Sequence, residues 1–184
     1  LTKPALLKSF AKNISLLNQL GIKVIVVHGG GPQIEKELKK RKINNEEYQG
    51  LRVTTKSVLG VVKRILSHDL NKLISDEIKK NGGKTKRLNG VSTKVLKAKI
   101  AMNGNIGFVG EPRGIDKNII MKALKSNHIP IIAPLGVDAN NNTLNINADT
   151  AAAYIAESLK AERLLLLTDV AGVLDNNKKL ITEL

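Results

Sequence analysis

The chain has 184 residues, 42% of them hydrophobic, which is enough for one buried core and marginal for two. It contains no cysteine, which excludes disulfide bonds, thiolate metal sites and cysteine nucleophiles, and it has no run of about 18 apolar residues that would indicate a membrane span. The net charge of +14 is uneven: residues 1–100 carry 22 Lys and Arg against 7 Asp and Glu, whereas residues 101–184 carry 8 against 9.

The basic first hundred residues have two interpretations. They could form a surface for nucleic acid or another polyanion, or a lysine-rich face exposed to solvent. The lysines are dispersed along helical patterns, and aromatic residues, which a base-stacking platform needs, make up only 2% of the chain. The sequence therefore favours the solvated face, and a nucleic-acid-binding module stays as the alternative from a different functional class.

Helical and extended patterns alternate in chain order. Apolar residues recur at helical spacing over residues 5–20, and Gly21 is placed to end that helix. The same spacing predicts the helices, which cover 5–20, 32–42, 56–81, 116–127 and 150–159. β-Branched or apolar runs predict the strands, which cover 23–27, 129–135, 144–147 and 163–168, with short strands within 86–110 and an irregular segment or hairpin over 43–55.

Three of these strands, at 24–27, 131–135 and 164–167, are apolar on both faces. Strands of this kind belong to parallel sheets that helices cover on both sides. We therefore predict an α/β fold, a three-layer α/β/α sandwich with a mostly parallel central sheet, formed by a single domain over residues 1–184.

A triglycine, Gly29–Gly31, lies between a predicted strand and the helix that Pro32 opens. Glycines allow backbone N–H groups to approach an anion closely, and a helix N-terminus favours negative charge. The spacing matches neither the Walker A motif nor the dinucleotide fingerprint. The segment is either an anion-binding loop or only a tight turn.

Arg52 stands in the short segment Gly50–Thr54. A planar guanidinium suits two-pronged binding of a carboxylate. The alternatives are a surface cation or a structural salt bridge.

Asn145 and Asn147 alternate along a predicted strand, so both side chains should lie on one face. An asparagine there can read an amide or a carboxylate, whereas the competing interpretation is a local turn or a helix cap. Asp149 follows at the start of the next helix, where it could also be a cap.

Downstream, Thr168–Asp175 follows a predicted strand, at the sheet edge where open α/β folds bind ligands. A structural turn is the alternative for Asp169 and Gly172.

Four segments in this order resemble the amino acid kinase family: Val27–Pro32, Gly50–Thr54, Asn145–Ala153 and Thr168–Asp175. Within the family the resemblance is strongest to the kinases of N-acetyl-L-glutamate in arginine biosynthesis. It implies a cytoplasmic enzyme that transfers the γ-phosphoryl group of ATP, with Mg²⁺, to the substrate's side-chain carboxylate. It also implies a homodimer or higher homo-oligomer with no membrane partner. A kinase of an N-acylated aminoadipate-type substrate is the alternative.

The resemblance also implies the roles of individual residues. Arg52 would clamp the α-carboxylate, and Asp149 would organise the catalytic lysines. The substrate-binding residues would be Gly30, Gly31, Arg52, Asn145 and Asn147. The nucleotide-binding residues would be Asp169, Val170, Ala171, Gly172, Val173 and Leu174. The three histidines, His28, His68 and His128, show no metal-ligand spacing, and we predict no protein metal site.

Family members also carry two catalytic lysines, one in a Lys-x-Gly-Gly motif on a first strand and one on a late helix, and this sequence contains neither segment. We therefore expect a chain incomplete at both ends, with residues 1–147 forming the substrate-binding part and 148–184 the start of the nucleotide-binding part. We expect the fragment alone to be inactive or much weaker than its parent. The segment Leu88–Thr93 also departs from the family pattern.

Overall fold

The computed structural model describes residues 3–167. The α-helices are α1 (Pro4–Gln19), α2 (Gly31–Lys40), α3 (Lys56–Arg64), α4 (Asn71–Lys80), α5 (Lys117–Lys125) and α6 (Ala148–Leu159). The strands are β1 (Val26–Val27), β2 (Glu47–Tyr48), β3 (Leu51–Arg52), β4 (Thr85–Asn89), β5 (Leu96–Ile100), β6 (Val109–Ile115), β7 (Ile129–Ala133), β8 (Leu135–Val137) and β9 (Thr143–Ile146). A π-helical segment, Ile65–Leu70, joins α3 to α4, and a 3₁₀ turn spans Met102–Gly104.

A three-stranded parallel sheet forms the centre, in the order β1-β7-β4. Every residue of β7 is buried, because helices cover both faces of the sheet. On one face Ile129 and Ile131 pack with residues of α1 and α4, and on the other Ile132 packs with residues of α5 and α6. This alternation along β7 gives the helix–sheet–helix layering and confirms the predicted α/β class.

The remaining long strands form a second, mixed sheet, which closes on itself in the order β5-β6-β9-β8. The pairs β5–β6 and β8–β9 are antiparallel, whereas β6–β9 and β5–β8 are parallel. A single residue pair, Lys97 with Val137, joins β5 to β8. The hairpin β2–β3 lies within the segment 43–55, as predicted.

Side-chain and backbone signals set several helix ends, of which the sequence analysis predicted the end of α1 at Gly21 but not the cap at Asp116. Gly21 has φ +86°, in the left-handed region that favours glycine, directly after α1. The N-caps of α5 and α6 are Asp116 and Asn147, whose side-chain oxygens accept from backbone N–H groups of the first turn.

Three predicted elements were wrong in part. The helix predicted over 56–81 contains the π segment, in which the wider turn brings Leu66 and Leu70 against Gly30. The strand predicted over 163–168 is absent from its described part, 163–167, because no strand of residues 3–167 pairs with it, and Leu164–Leu167 are exposed. The strand predicted over 23–27 is reduced to β1.

Among the helices of residues 3–167, none combines the length and the apolar character that crossing a bilayer requires.

Candidate functional site

The triglycine forms a loop between β1 and α2 whose backbone is pressed against the π segment. A Cβ added to Gly30 would lie 2.6 Å from Leu70 Cδ1 and 2.8 Å from Leu66 Cδ2, so this position has room only for glycine unless the leucines move. No hydrogen bond among the described residues uses the N–H groups of Gly29, Gly30 or Gly31. These donors, at the N-terminus of α2, are suited to an anion.

The N-terminus of α6 lies against the same loop. A Cβ on Gly29 would be 3.5 Å from the Cβ of Ala148, the first residue of α6, which is an ordinary van der Waals contact. Two helix N-termini, those of α2 and α6, therefore meet at the glycine loop, and their dipoles favour negative charge at the same place. Asp149 lies in the first turn of α6.

Arg52 contributes a partly buried guanidinium from strand β3. Its Nη1 atom is buried and has no hydrogen-bond partner among residues 3–167. A buried cationic donor without an acceptor is costly, and most such groups are satisfied in folded proteins. A carboxylate is the acceptor that a guanidinium binds best.

A single hydroxyl connects Arg52 to Asn145. Thr54 is fully buried, and its Oγ1 donates to the backbone oxygen of Arg52 at 2.8 Å. Thr54 Oγ1 also accepts a hydrogen bond, from Asn145 Nδ2 at 3.1 Å. The backbone follows the same route, because Phe108 N donates to Thr54 O and Asn145 N donates to Phe108 O, both at 2.8 Å.

Asn147 has the helix-capping role that was the alternative interpretation. Strand β9 ends at Ile146, so Asn147 lies beyond the strand on which the sequence placed it with Asn145. Its Oδ1 accepts from Thr150 N at 3.0 Å and from Thr150 Oγ1 at 3.2 Å, as an N-cap does. Its Nδ2 makes no hydrogen bond within residues 3–167, which leaves both of its N–H donors for a ligand.

The predicted substrate residues thus form a continuous line. From Gly29 the line passes through the start of α6 and the Asn147 cap to Asn145, and from there through Thr54 to Arg52. The predicted nucleotide-binding residues, Asp169 to Leu174, lie outside the described residues. In the described part of the chain, no three His, Asp or Glu residues come together as a metal-binding group.

The structure adds a buried polar network that the sequence did not indicate. His28, which is 4% exposed, has Nδ1 3.1 Å from Gly29 O and Nε2 3.1 Å from Asn71 Nδ2. Asn71 Nδ2 also donates to Ile131 O at 3.0 Å, and Asn71 Oδ1 accepts from Arg87 Nε at 2.9 Å. A polar Asn71 within the apolar stripe of residues 56–81 was the only signal of this network.

The protonation state of His28 follows from these partners. The pKa of His28 is lowered from its ordinary 6.5 to about 4, mainly because burial disfavours the charged ring. The Gly29 carbonyl acts in the opposite direction, and the positive charge of Arg87 lowers the pKa further. At neutral pH the imidazole is therefore uncharged. Because Gly29 O can only accept, we assign the proton to Nδ1, with Nε2 as the acceptor from Asn71.

Known proteins resemble this chain along its whole length. The family model described as amino acid kinase family matches residues 1–184. The acetylglutamate kinase of Acinetobacter baumannii (strain AYE) is 43% identical over 195 residues, which cover 100% of this chain and 65% of that protein. The acetylglutamate kinase of Pelagibacter ubique (strain HTCC1062) is 41% identical over 184 residues, covering 100% of this chain and 63% of that protein.

Among solved structures, smu.665 from Streptococcus mutans UA159 superposes with a TM-score of 0.85 and 32% identity, covering 90% of this chain and 68% of that one. The chain spans somewhat less than two thirds of the length of the two acetylglutamate kinases, namely 65% and 63%.

Proposed function

This chain belongs to the amino acid kinase family, and from that premise we propose that the protein phosphorylates N-acetyl-L-glutamate. In the proposed reaction the γ-phosphoryl group of ATP is transferred to the side-chain carboxylate and gives N-acetyl-L-glutamyl 5-phosphate, a step of arginine biosynthesis. The observation that carries the proposal is the buried Nη1 of Arg52, which has no hydrogen-bond partner within residues 3–167. The hydroxyl of Thr54 links the backbone of the same residue to the side chain of Asn145. The curated relatives named acetylglutamate kinase support the choice of substrate.

The proposed binding mode uses the two ends of the line of site residues. Arg52 binds the α-carboxylate through its fork of donors. Asn145, whose Oδ1 makes no hydrogen bond within residues 3–167, accepts from the acetamido N–H. The N–H groups of Gly30 and Gly31 then face the side-chain carboxylate and the phosphoryl group that it receives, with Asn147 Nδ2 as a further donor.

The chemistry requires positioning more than proton transfer. A carboxylate at neutral pH is already an anionic nucleophile and needs no general base. The protein's contribution is to hold the carboxylate in line with the phosphoryl group and to stabilise the negative charge on that group during its transfer. The two helix N-termini at the glycine loop favour this negative charge. We assign to Asp149, in the first turn of α6, the role of organising cationic groups around the transferred phosphoryl group.

We propose that ATP binds through Asp169, Val170, Ala171, Gly172, Val173 and Leu174. Mg²⁺ is proposed to enter with ATP, because this ion prefers phosphate oxygens and water as ligands. Residues 1–147 form the proposed substrate-binding part, and residues 148–184 belong to the nucleotide-binding part.

We further propose a cytoplasmic location and a homodimer or higher homo-oligomer. Several large apolar side chains of α1, of its C-cap residue and of α4 are exposed, which supports self-association: Leu6 58%, Leu16 51%, Leu20 69% and Leu73 48%. Sedimentation velocity over a concentration series tests the oligomer, and a strictly monomeric chain would contradict it.

Calorimetric titration of N-acetyl-L-glutamate into the chain tests the substrate, with circular dichroism confirming the fold. L-Glutamate is the control for the acetyl group, and N-acetyl-L-2-aminoadipate tests the alternative substrate. Selective binding of N-acetyl-L-glutamate is the expected result. A folded chain that prefers the aminoadipate compound would replace the proposed substrate with the alternative.

A further inference from the structure

His28 lies directly behind the glycine loop and is held from both sides. Its backbone N–H donates to Ile132 O at 3.3 Å on the central strand β7, and its ring joins Gly29 O to Asn71. The Gly29 carbonyl belongs to the peptide that links Gly29 to Gly30, the first residue to which we assign substrate binding.

We propose that His28 is a positioning residue, whose Nδ1–H fixes the direction of the Gly29–Gly30 peptide and so aims the Gly30 N–H at the bound anion. This inference rests on the proposed function of the glycine loop. It concerns the orientation of one backbone donor and assigns no chemical step to the imidazole.

The geometry of the peptide bond links the two ends. In a trans peptide the C=O and the following N–H point in opposite directions, and no cis peptide occurs among the described residues. When Nδ1–H holds the Gly29 carbonyl toward the core, the Gly30 N–H points away from it. Glycines at both positions impose little backbone preference of their own, so an external hydrogen bond is needed to keep this orientation.

The network leaves His28 only one tautomer. Asn71 cannot exchange the positions of its amide atoms, since its Oδ1 accepts from Arg87 Nε and its Nδ2 donates to Ile131 O. Arg87 is itself fixed, because its second guanidinium nitrogen donates to Ser67 O at 2.6 Å in the π segment. The Asn71 N–H therefore faces Nε2, which must accept, and the ring proton is on Nδ1. The donor that faces Gly29 is thus specified by four groups in succession: Ser67 O, Arg87, Asn71 and His28.

The π segment contacts the glycine loop a second time. Ser67 anchors Arg87 at one end of the network, and the neighbouring Leu66 and Leu70 close against the Gly30 backbone. The loop is thereby held by a hydrogen bond from His28 on one side and by apolar contact on the other. A merely structural histidine would satisfy its own buried nitrogens without any consequence for ligand affinity.

Two substitutions separate these interpretations. In His28→Asn the side-chain amide can reach the place of Nδ1 and donate to Gly29 O, whereas the longer side chain of His28→Gln reaches toward Asn71 and leaves Gly29 O without its donor. Both variants lose the ring and its packing. We expect similar losses of stability but different affinities: His28→Asn should bind within about threefold of the original chain, and His28→Gln about tenfold more weakly, the loss typical of one charge-assisted hydrogen bond. Equal affinities in the two variants would overturn the proposal.

Nuclear magnetic resonance provides a readout that does not depend on turnover. Long-range ¹H–¹⁵N spectra of the imidazoles should show His28 as the neutral Nδ1–H tautomer at pH 7, assigned by its loss in His28→Asn; an Nε2–H tautomer would overturn the proposal. The Gly30 amide should shift on addition of N-acetyl-L-glutamate, and on addition of inorganic phosphate as an independent anion. A Gly30 shift with phosphate but none with N-acetyl-L-glutamate would contradict the proposed substrate and support the role of His28. No shift with either anion would contradict the role of His28.

Discussion

Asn145 and Thr54 lie 91 positions apart in the sequence, yet the side-chain amide of Asn145 donates to the hydroxyl of Thr54 at 3.1 Å. Because the same hydroxyl donates to the backbone of Arg52, one buried threonine joins the side chain of Asn145 to the backbone of Arg52, and we assign substrate binding to both residues. We expect a chain that lacks this hydroxyl to fold, but to lose the link between the side chain of Asn145 and the backbone of Arg52.

Replacing Thr54 with valine tests this coupling. Valine preserves the shape but removes the acceptor for Asn145 and the donor to Arg52, so we expect a loss of about 1–3 kcal/mol in the free energy of unfolding and weaker binding of N-acetyl-L-glutamate. Urea unfolding and calorimetry measure the two effects. Thr143→Val is the matched control, since Thr143 is also buried and its hydroxyl makes no side-chain hydrogen bond among the described residues. Equal behaviour of the two variants would argue against the coupling.

Arg52→Lys keeps the positive charge but removes the planar fork. We expect the affinity for N-acetyl-L-glutamate to fall by about tenfold to hundredfold, which corresponds to one or two charge-assisted hydrogen bonds. Stability should change little, because Nη1 has no partner to lose within residues 3–167. Arg113→Lys on β6, where the side chain is 59% exposed, is the control. Unchanged affinity in Arg52→Lys would remove Arg52 from the site.

Adjacent glycines should respond differently to alanine. In Gly30→Ala the new Cβ collides with Leu66 and Leu70, and we expect a loss of about 1–3 kcal/mol in the free energy of unfolding, as for other overpacked positions. In Gly31→Ala nothing lies within 4 Å of the added Cβ, so stability should be preserved or slightly improved. Thermal unfolding of the two variants measures the difference, and a stable Gly30→Ala would show that the leucines move aside freely.

Acid should weaken the fold through His28. The folded state binds fewer protons than the unfolded state between the ordinary pKa of 6.5 and the folded pKa of about 4. The contribution of His28 to the free energy of unfolding is therefore fully present above pH 6.5. It is lost as the pH falls through this window, by an amount on the order of 3 kcal/mol.

Denaturant unfolding between pH 7 and 4.5 measures this decline. Arg87 is the charged group that faces the ring, and its positive charge deepens the effect. His28→Asn should flatten the curve in this window, whereas the control His128→Gln should retain it. A decline that persists in His28→Asn would assign it to other groups.

Asn147→Ser distinguishes capping from substrate binding. Serine retains an N-cap oxygen for Thr150 N, so the free energy of unfolding should change by less than about 1 kcal/mol, whereas Asn147→Ala should lose about 1 kcal/mol. The amide Nδ2 is absent from both variants. If it binds substrate as proposed, both should lose affinity for N-acetyl-L-glutamate in calorimetry. Full affinity in Asn147→Ser would leave Asn147 with the cap alone.

Periodicity predicted the helices and the central strand well, because core packing imposes a repeat on the sequence. Residues 5–20 and 129–135 are examples, each close to its observed element. The π segment was missed, since apolar positions at three- and four-residue spacing also accommodate a wider turn. The strand predicted at 163–168 rested on apolar residues alone, whereas a strand also needs a neighbouring strand with which to form hydrogen bonds.

The candidate site was only partly accessible to the same reasoning. Short segments pointed to the glycine loop, Arg52 and Asn145, because each has a recognisable local pattern. The connection through Thr54 and the network of His28, Asn71 and Arg87 join residues from distant parts of the chain. No local pattern encodes such partners, and a single sequence offers no other signal for them.

The strand order β1-β7-β4 has a consequence for how the protein is made. The middle strand β7, at residues 129–133, follows both of its neighbours in the chain. During synthesis neither β1 nor β4 can pair with β7 until residues 129–133 have left the ribosome. Until then the apolar faces of α1 and α4 lack the surface that finally covers them. We therefore expect the central sheet to form late in synthesis, only after β7 has been made.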